Sequence, residues 1–222
     1  MGKATKKSPS NPSEVNIVTP LSQTKEAAMR PIAAVVFAAL LSACASSPAH
    51  RDYTPAAAPR TAWIVGAEGA AVGQAIFTDG PHGVLIRLEF LPNALPPGWH
   101  GVHLHGRGDC SDFAAGFQAS GGHIDMRQHA EHGLMNPRGP DAGDLPNLFA
   151  TPAGPFAAEL LARSVTLGGE RIPASANQHE RAPLLDTDGA ALLIHTGPDD
   201  HMTQPIGGAG ARIACAALTA LP

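Results

Sequence analysis

The clearest periodicity in the chain lies between residues 70 and 105. Ala70 to Phe77 and Gly83 to Leu91 are apolar-rich runs separated by the turn-type segment Thr78-Asp79-Gly80-Pro81-His82. In the second run Val84, Ile86, Leu88 and Phe90 alternate with Leu85, Arg87 and Glu89. That two-residue period predicts one buried face and a hairpin. A third stretch, Trp99 to His105, alternates Val102 and Leu104 against His103 and His105. Residues two apart on a strand share a face, so the two histidines project together, away from the two aliphatics. From Gly106 to about Pro155 the period is lost, and Gly, Pro, Asp and His accumulate. A loop of about 50 residues is abnormal unless a function or a ligand organises it. Patterning returns in Phe156 to Leu167, Ala190 to His195 and Ala211 to Leu218, although Phe156 to Leu161 alone also suits a helix. Residues 168–189 read as a second loop, and no internal repeat is visible. Several short strands bounded by turn signals predict an antiparallel sandwich or barrel.

Composition agrees with a loop-rich single domain. The 222 residues include 24 Gly and 21 Pro, while the hydrophobic share of 44% is enough for a core. Charged residues make up only 15%, which argues against a coiled coil or a long exposed bundle. Charge is unevenly spread. Residues 44–222 carry ten basic residues, all Arg, against 17 acidic ones, a net charge of −7. Broad nucleic-acid binding needs basic stripes and is excluded on this ground.

The N-terminal part reads as an address. Pro31 to Leu41, PIAAVVFAALL, is too short to span a bilayer but suits the apolar region of a secretory signal. Leu41-Ser42-Ala43-Cys44 follows it and resembles a bacterial lipoprotein signal, with Cys44 as the lipidated residue. An ordinary signal cleavage or a short buried helix is the plainer reading. The expected organisation is a leader and signal peptide over 1–43, a flexible tether over 44–60 rich in Ala, Pro and Ser, and a domain over 61–222. Met29 is an alternative start. With Cys44 lipidated, Cys110 and Cys215 remain as a pair that an oxidising compartment would bridge, two unrelated buried thiols being the alternative.

Eleven histidines are a high count, and six of them fall between His100 and His132. Neutral imidazole is the commonest metal ligand and suits copper and zinc. The candidates are His103, His105, His123, His132 and His195, with carboxylates Asp141 and Asp144. His50, His82, His100, His179 and His201 are expected to be exposed polar residues.

The segments GWHGVHLHGRGDCSDF, SGGHI, HGLMNPRGPDAGDLPNL and LLIHTGPDDHMTQPIGGAGARIAC resemble the copper–zinc superoxide dismutases, above all the exported bacterial branch. The resemblance runs from about Ala70 to Leu218. It implies a flattened eight-stranded Greek-key β-barrel with two long functional loops, 106–155 and 196–210. It implies copper on His103, His105, His123 and His195, and zinc on His123, His132 and Asp144, with His123 shared between the metals. Asp199 would hydrogen-bond ligands of both metals, here His103 and His132. Arg212 would attract the anionic substrate beside copper, and Cys110 would pair with Cys215. His123 would take up and give back a proton during turnover. The implied reaction is dismutation of superoxide to O₂ and hydrogen peroxide in the cell envelope, with membrane contact only through a lipid on Cys44. Family members are monomers or homodimers, and both states stay open.

Two departures from the family pattern stand out. Asp141 occupies the place of a third zinc histidine, and a carboxylate oxygen can ligate zinc there. If Asp141 misses the metal the zinc site is weak; His129, three residues before His132, is a substitute whose spacing does not match. Ile124-Asp125-Met126 replaces a Phe-Asn-Pro run, which puts the loop path after His123 in question. Two other functions share the same ligands: a copper-only dismutase with a weak zinc site, and a non-catalytic copper-binding module. The module has no need of Arg212 or Asp199.

Overall fold

The computed structural model describes residues 53–126, 131–176 and 179–219. The leader, His50, Cys44 with its lipidation, and His129 lie outside the described residues. Eleven strands follow one another: β1 Arg60–Gly66, β2 Ala71–Gly80, β3 Gly83–Phe90, β4 Gly98–His100, β5 Val102–His105, β6 Leu148–Ala150, β7 Phe156–Ala162, β8 Val165–Thr166, β9 Ala182–Pro183, β10 Ala190–His195 and β11 Arg212–Leu218. Seven form one antiparallel sheet in the order β5-β10-β11-β1-β2-β3-β7. β4 pairs with β6, and β4 runs on into β5 across Gly101. Counting β4 and β5 as one interrupted strand, the barrel has the expected eight. The connections from β3 to β4 and from β7 to β10 each cross between opposite ends of this order, which is a Greek-key path.

The alternation in β3 has the consequence its pattern predicts. Val84, Ile86, Leu88 and Phe90 are buried, while Leu85 and Arg87 face solvent. The turn before it is tighter than expected. Thr78, Asp79 and Gly80 extend β2 to pair with Leu85, Val84 and Gly83, leaving a two-residue loop of Pro81 and His82. Gly83 has φ +132, and a Cβ there would stand 2.2 Å from the Ala162 carbonyl, so only glycine fits. Phe156 to Leu161 is strand, not helix, because β7 pairs along the whole of β3. β1 is an element the periodicity reading passed over, although Ala62, Ile64 and Gly66 alternate inward against an exposed Trp63.

Strands from both ends of the sheet share one core. Val84 and Leu160 belong to the same buried cluster as Leu104, Leu148 and Ile194, so the sheet curls into a flattened barrel. Fully burying each such side chain is worth roughly 1.5–3 kcal/mol. A second, smaller cluster lies on the barrel's outer surface. There Ala191, Leu193 and Cys215 are covered by Phe117, with Cys110 packed against them. Cys110 and Cys215 are disulfide-bonded, closing a sequence separation of 105 residues and fastening the loop after β5 onto β11. The last residues of the expected tether also touch the barrel: the Tyr53 hydroxyl and the Ala56 amide donate to the buried Asp79 carboxylate.

Candidate metal centre

The centre forms where β5, β10 and β11 meet two loops. On β5 Val102 and Leu104 enter the core, and His103 and His105 take the outer face. His105 bridges to His123 and His103 to Asp144 through backbone pairing, so the long loop is laid back along β5. The path after His123 is set by backbone bonds: the Ile124 amide donates to Leu104, and the Gly143 amide to Ile124. A register shift between Ile194 and His195 sets His195 opposite Arg212 instead of Ile213. Such a bulge re-aims side chains beside a site.

Each imidazole has one nitrogen engaged as a donor. His103 Nε2 donates to Asp199 Oδ2 at 2.9 Å, His105 Nδ1 to the Gly121 carbonyl at 2.8 Å, and His195 Nδ1 to the Gly210 carbonyl at 2.9 Å. His132 Nε2 donates to Asp199 Oδ1 at 3.0 Å, so one carboxylate holds two rings. The proton positions follow, and they leave His103 Nδ1, His105 Nε2 and His195 Nε2 as lone pairs, whereas His132 Nδ1 faces a second acceptor, Asp144 Oδ1, and carries a proton as well. The first three belong to one group of donors, within 4.8 Å of one another. His123 Nε2 and His105 Nε2 are buried with no hydrogen-bond partner.

The fit to a cation rests on these orphaned atoms. His103 Nδ1 and His195 Nε2 stand 3.0 Å apart with no proton left to share between them. Two nitrogens each about 2.0–2.1 Å from one tetrahedral ion would be about 3.3 Å apart, so this pair is close enough to share a single ion. A second group consists of His123, His132, Asp141 and Asp144, again within 4.8 Å. Here His123 Nδ1 lies 2.9 Å from Asp141 Oδ2 and 3.4 Å from Asp144 Oδ1, while His132 Nδ1 meets Asp144 Oδ1. The other oxygen of each carboxylate is anchored by backbone: Asp141 Oδ1 by Gly143, and Asp144 Oδ2 by Gly133 and Asp141.

Electrostatics separate the two groups. Burial pushes His103 down to about 4 and His105 down to about 2, and lowers His195 as well, so these rings are neutral and ready to ligate. Burial acts the same way on His132, but hydrogen bonds to Asp144 and Asp199 outweigh it and carry the ring up to about 10. Against burial, the bonds from His103 and His132 hold the Asp199 carboxyl well below the usual range. Arg212 sits at the rim, half-buried, with Nη1 donating to the Phe117 carbonyl at 2.8 Å and Nη2 to the Gly121 carbonyl at 2.9 Å.

The structure brings His103, His105 and His195 into one donor group, His123, His132, Asp141 and Asp144 into another, and His103, His123 and His132 into a third that links them; His123 shares no group with His105 or His195. The sequence reading misplaced His100 and missed three supports. His100 is 1% exposed, not a surface residue, with its ring nitrogens 2.7 Å from the His195 and Pro96 carbonyls. His201 is half-buried beside Asp199, whereas His82 and His179 are exposed. Asn147 clasps the Asp199 backbone by both its amide and its carbonyl, at 2.8 and 2.9 Å. Gln204 does the same to His132, and Ser120 Oγ lies within reach of Arg212 and His105. Nothing marks such polar residues in the sequence except their position inside loops already rich in ligands.

Comparison with known proteins points one way. Residues 71–218 match the family described as copper/zinc superoxide dismutase (SODC). A superoxide dismutase (Cu-Zn) of Caulobacter vibrioides is 43% identical over 155 residues, 70% of this chain and 82% of that protein. Superoxide dismutase (Cu-Zn) 2 of Aquifex aeolicus is 37% identical over 153 residues, 68% of this chain and 81% of its own length. Among solved structures, a double mutant of a SOD-like protein from Bacillus subtilis has a TM-score of 0.60 and 35% identity, covering 72% of this chain and 96% of that one.

Proposed function

This chain belongs to the copper/zinc superoxide dismutase family, and on that footing we propose that it is an enzyme that converts superoxide to O₂ and hydrogen peroxide. Its first donor group, His103, His105 and His195, would hold copper together with His123, which a linking group joins to His103; its second, His123, His132, Asp141 and Asp144, would hold zinc. Bound copper supplies one-electron oxidation and reduction of superoxide, and zinc, which has no redox chemistry, supplies charge and order. The observation that carries the reading is the pair His103 Nδ1 and His195 Nε2, 3.0 Å apart, with both outer nitrogens already engaged as donors.

The protein's own groups then have separable tasks. Asp199 keeps the proton of His103 on its outer nitrogen, so that the inner one stays free to ligate, and holds the outer proton of His132, so that the inner one, against Asp144, is the proton a metal would displace. His123 reaches both groups, and its unpartnered Nε2 is the atom that takes up a proton and hands it on. Arg212, held by two carbonyls beside His105, binds the anion with a permanent charge. Its local field has to overcome a body with net charge −7. Neither the copper-only dismutase nor the inert copper module is favoured. The second group has four ligands with anchored carboxylates, and Arg212 and Asp199 have no role in simple storage.

The domain works in the cell envelope, exported by residues 1–43 and tethered through a lipid on Cys44. The Cys110–Cys215 disulfide supports an oxidising compartment. The test of the activity is superoxide decay by the purified chain loaded with copper, before and after zinc. Fast decay that rises with zinc is expected; no decay above free copper, with copper demonstrably bound, would overturn the reading. The mass of the mature N-terminal peptide tests the anchor, which an unmodified Cys44 would refute.

A further inference from the structure

Between Cys110 and His123 the chain makes two short 3₁₀ turns, Phe113–Ala115 and Gln118–Ser120. Covalent and apolar contacts fix this loop to the barrel. Cys110 is bonded to Cys215, and Phe117 is buried with Leu193 and Cys215. A Cβ on Gly69 would stand 2.7 Å from the Phe113 ring, so that ring is seated on the turn between β1 and β2. These contacts settle where the loop lies. They do not settle which way its peptide groups turn, and Arg212 depends on two of those, the carbonyls of Phe117 and Gly121.

Asp112 bonds the peptide groups around them. Its carbonyl accepts from the Ala115 amide at 2.8 Å and from the Phe117 amide at 3.3 Å, and its carboxylate Oδ2 accepts from the Ala119 amide at 3.0 Å. Phe117 lies between the last two at φ +58, a conformation that a bulky residue keeps only when its surroundings impose it. Its carbonyl thereby meets Arg212 Nη1 at 2.8 Å and the Ser120 hydroxyl at 2.7 Å, both donating. Gly121 follows directly on the second turn, where its amide donates to the Gln118 carbonyl at 3.0 Å.

The other carboxylate oxygen, Asp112 Oδ1, is buried with no hydrogen-bond partner among the described residues. Burying an unpaired carboxylate oxygen is unfavourable unless a cation offsets it. Arg212 is such a cation: burial disfavours its charge, and the field of Asp112 supports it. A carboxylate kept at this cost, on the loop that carries both acceptors of Arg212, has a task beyond packing.

We propose that Asp112 is a positioning residue for Arg212: through the Ala119 amide it holds the turn whose carbonyls keep the guanidinium beside the copper group. The inference rests on the dismutase reading. Asp112 touches neither metal group nor substrate and acts only through Arg212.

The test uses the full chain loaded with copper and zinc, with metal content and the disulfide measured for every variant. Azide binding to the oxidised copper is titrated optically as a readout independent of turnover, and superoxide decay is followed by pulse radiolysis across ionic strength. Asp112→Ala is expected to weaken azide and to lower kcat/KM by about three- to tenfold, the range of one hydrogen bond, with the salt dependence unchanged because the cation is still present. Asp112→Asn keeps an acceptor for the Ala119 amide and should bind azide within about twofold of wild type. In an Arg212→Ala background nothing is left to position, so Asp112→Ala should change neither quantity there. If Asp112→Ala does not load copper, Asp112→Ser, whose oxygen falls about one bond short of Ala119, takes its place with the same expectation. Wild-type azide affinity in that variant would overturn the proposal. So would an equal loss in Asp112→Asn, which marks charge and not the hydrogen bond. A loss of the same size in the Arg212→Ala background would overturn it too, since that marks damage to the copper ligands. Absence of superoxide decay in the wild-type chain would instead refute the dismutase reading, and the azide cycle would still decide the role of Asp112.

Discussion

Replacing Asp199 by asparagine isolates the link between the two metal groups. The carboxylate is 3% exposed and accepts from His103 Nε2 at 2.9 Å and from His132 Nε2 at 3.0 Å. An asparagine amide has one acceptor oxygen, so whichever way it turns, one ring faces an N–H instead of an acceptor. The loss of one charge-assisted hydrogen bond is worth about 1.5–3 kcal/mol. The two rings differ in what they do next. His132 carries two ring protons without zinc, and its Nδ1 faces the Asp144 carboxylate; with Asp199 gone, the proton that remains after zinc displaces the other is drawn inward to Nδ1, where zinc needs a lone pair. His103 Nδ1 faces only His195 Nε2, a much weaker competitor. The cost should therefore fall on zinc: an affinity loss of about 10- to 100-fold at about 1.4 kcal/mol per decade, with copper affinity falling less. Competition against a chromophoric zinc chelator at neutral pH, on protein already loaded with copper, measures the first quantity, and a copper chelator the second. Thermal melts of the metal-free variants control for folding. Zinc affinity within threefold of wild type would refute the reasoning, as would a copper loss larger than the zinc loss.

The same structure carries four further expectations. Gly207→Ala should reproduce the zinc loss, because its φ is +59 and a Cβ there would collide with Asp199 Oδ1; intact zinc affinity would contradict this. Arg212→Ala should slow superoxide decay about tenfold or more and flatten its salt dependence while copper stays bound, the loss of one charge-assisted contact to the anion being worth about 1.5–3 kcal/mol; unchanged kinetics would remove Arg212 from its assigned role. Stability of the metal-free protein should peak near pH 6.5 in a calorimetric pH series. His103 and His105, lowered to about 4 and about 2, favour the unfolded chain as pH falls below the ordinary histidine value. His132, raised to about 10, gives stability that is present at and below that value and is lost as pH rises toward 10. A flat profile from pH 4 to 10 would count against the buried neutral and charged rings. Replacing Cys110 and Cys215 together by serine removes a 105-residue loop closure, worth about 4–5 kcal/mol, and should lower the melting temperature by about 10 °C or more. It should also loosen Phe117 and Gly121, so activity should fall further than copper content; an equal fall in both would refute the link to Arg212.

Much of this protein is legible in its sequence, for reasons that are local. The two-residue period of Val84 to Phe90 determines which face of β3 is buried, whatever the strand pairs with. The spacing of His103 and His105 puts two imidazoles on one side of a strand by backbone geometry alone. Cys110, Cys215, His123, His132, Asp144, Asp199 and Arg212 are identifiable because their motifs stand in a familiar order. Tertiary structure decided what depends on residues distant in the chain. Phe156 to Leu161 is ambiguous as a segment and becomes strand only because β3 supplies its hydrogen-bond partner. His100 looks like any polar residue until the fold closes the His195 and Pro96 carbonyls over its ring. Asp141 could point anywhere in a loop rich in glycine and proline. The Gly143 amide and the return of the loop along β5 aim it at His123.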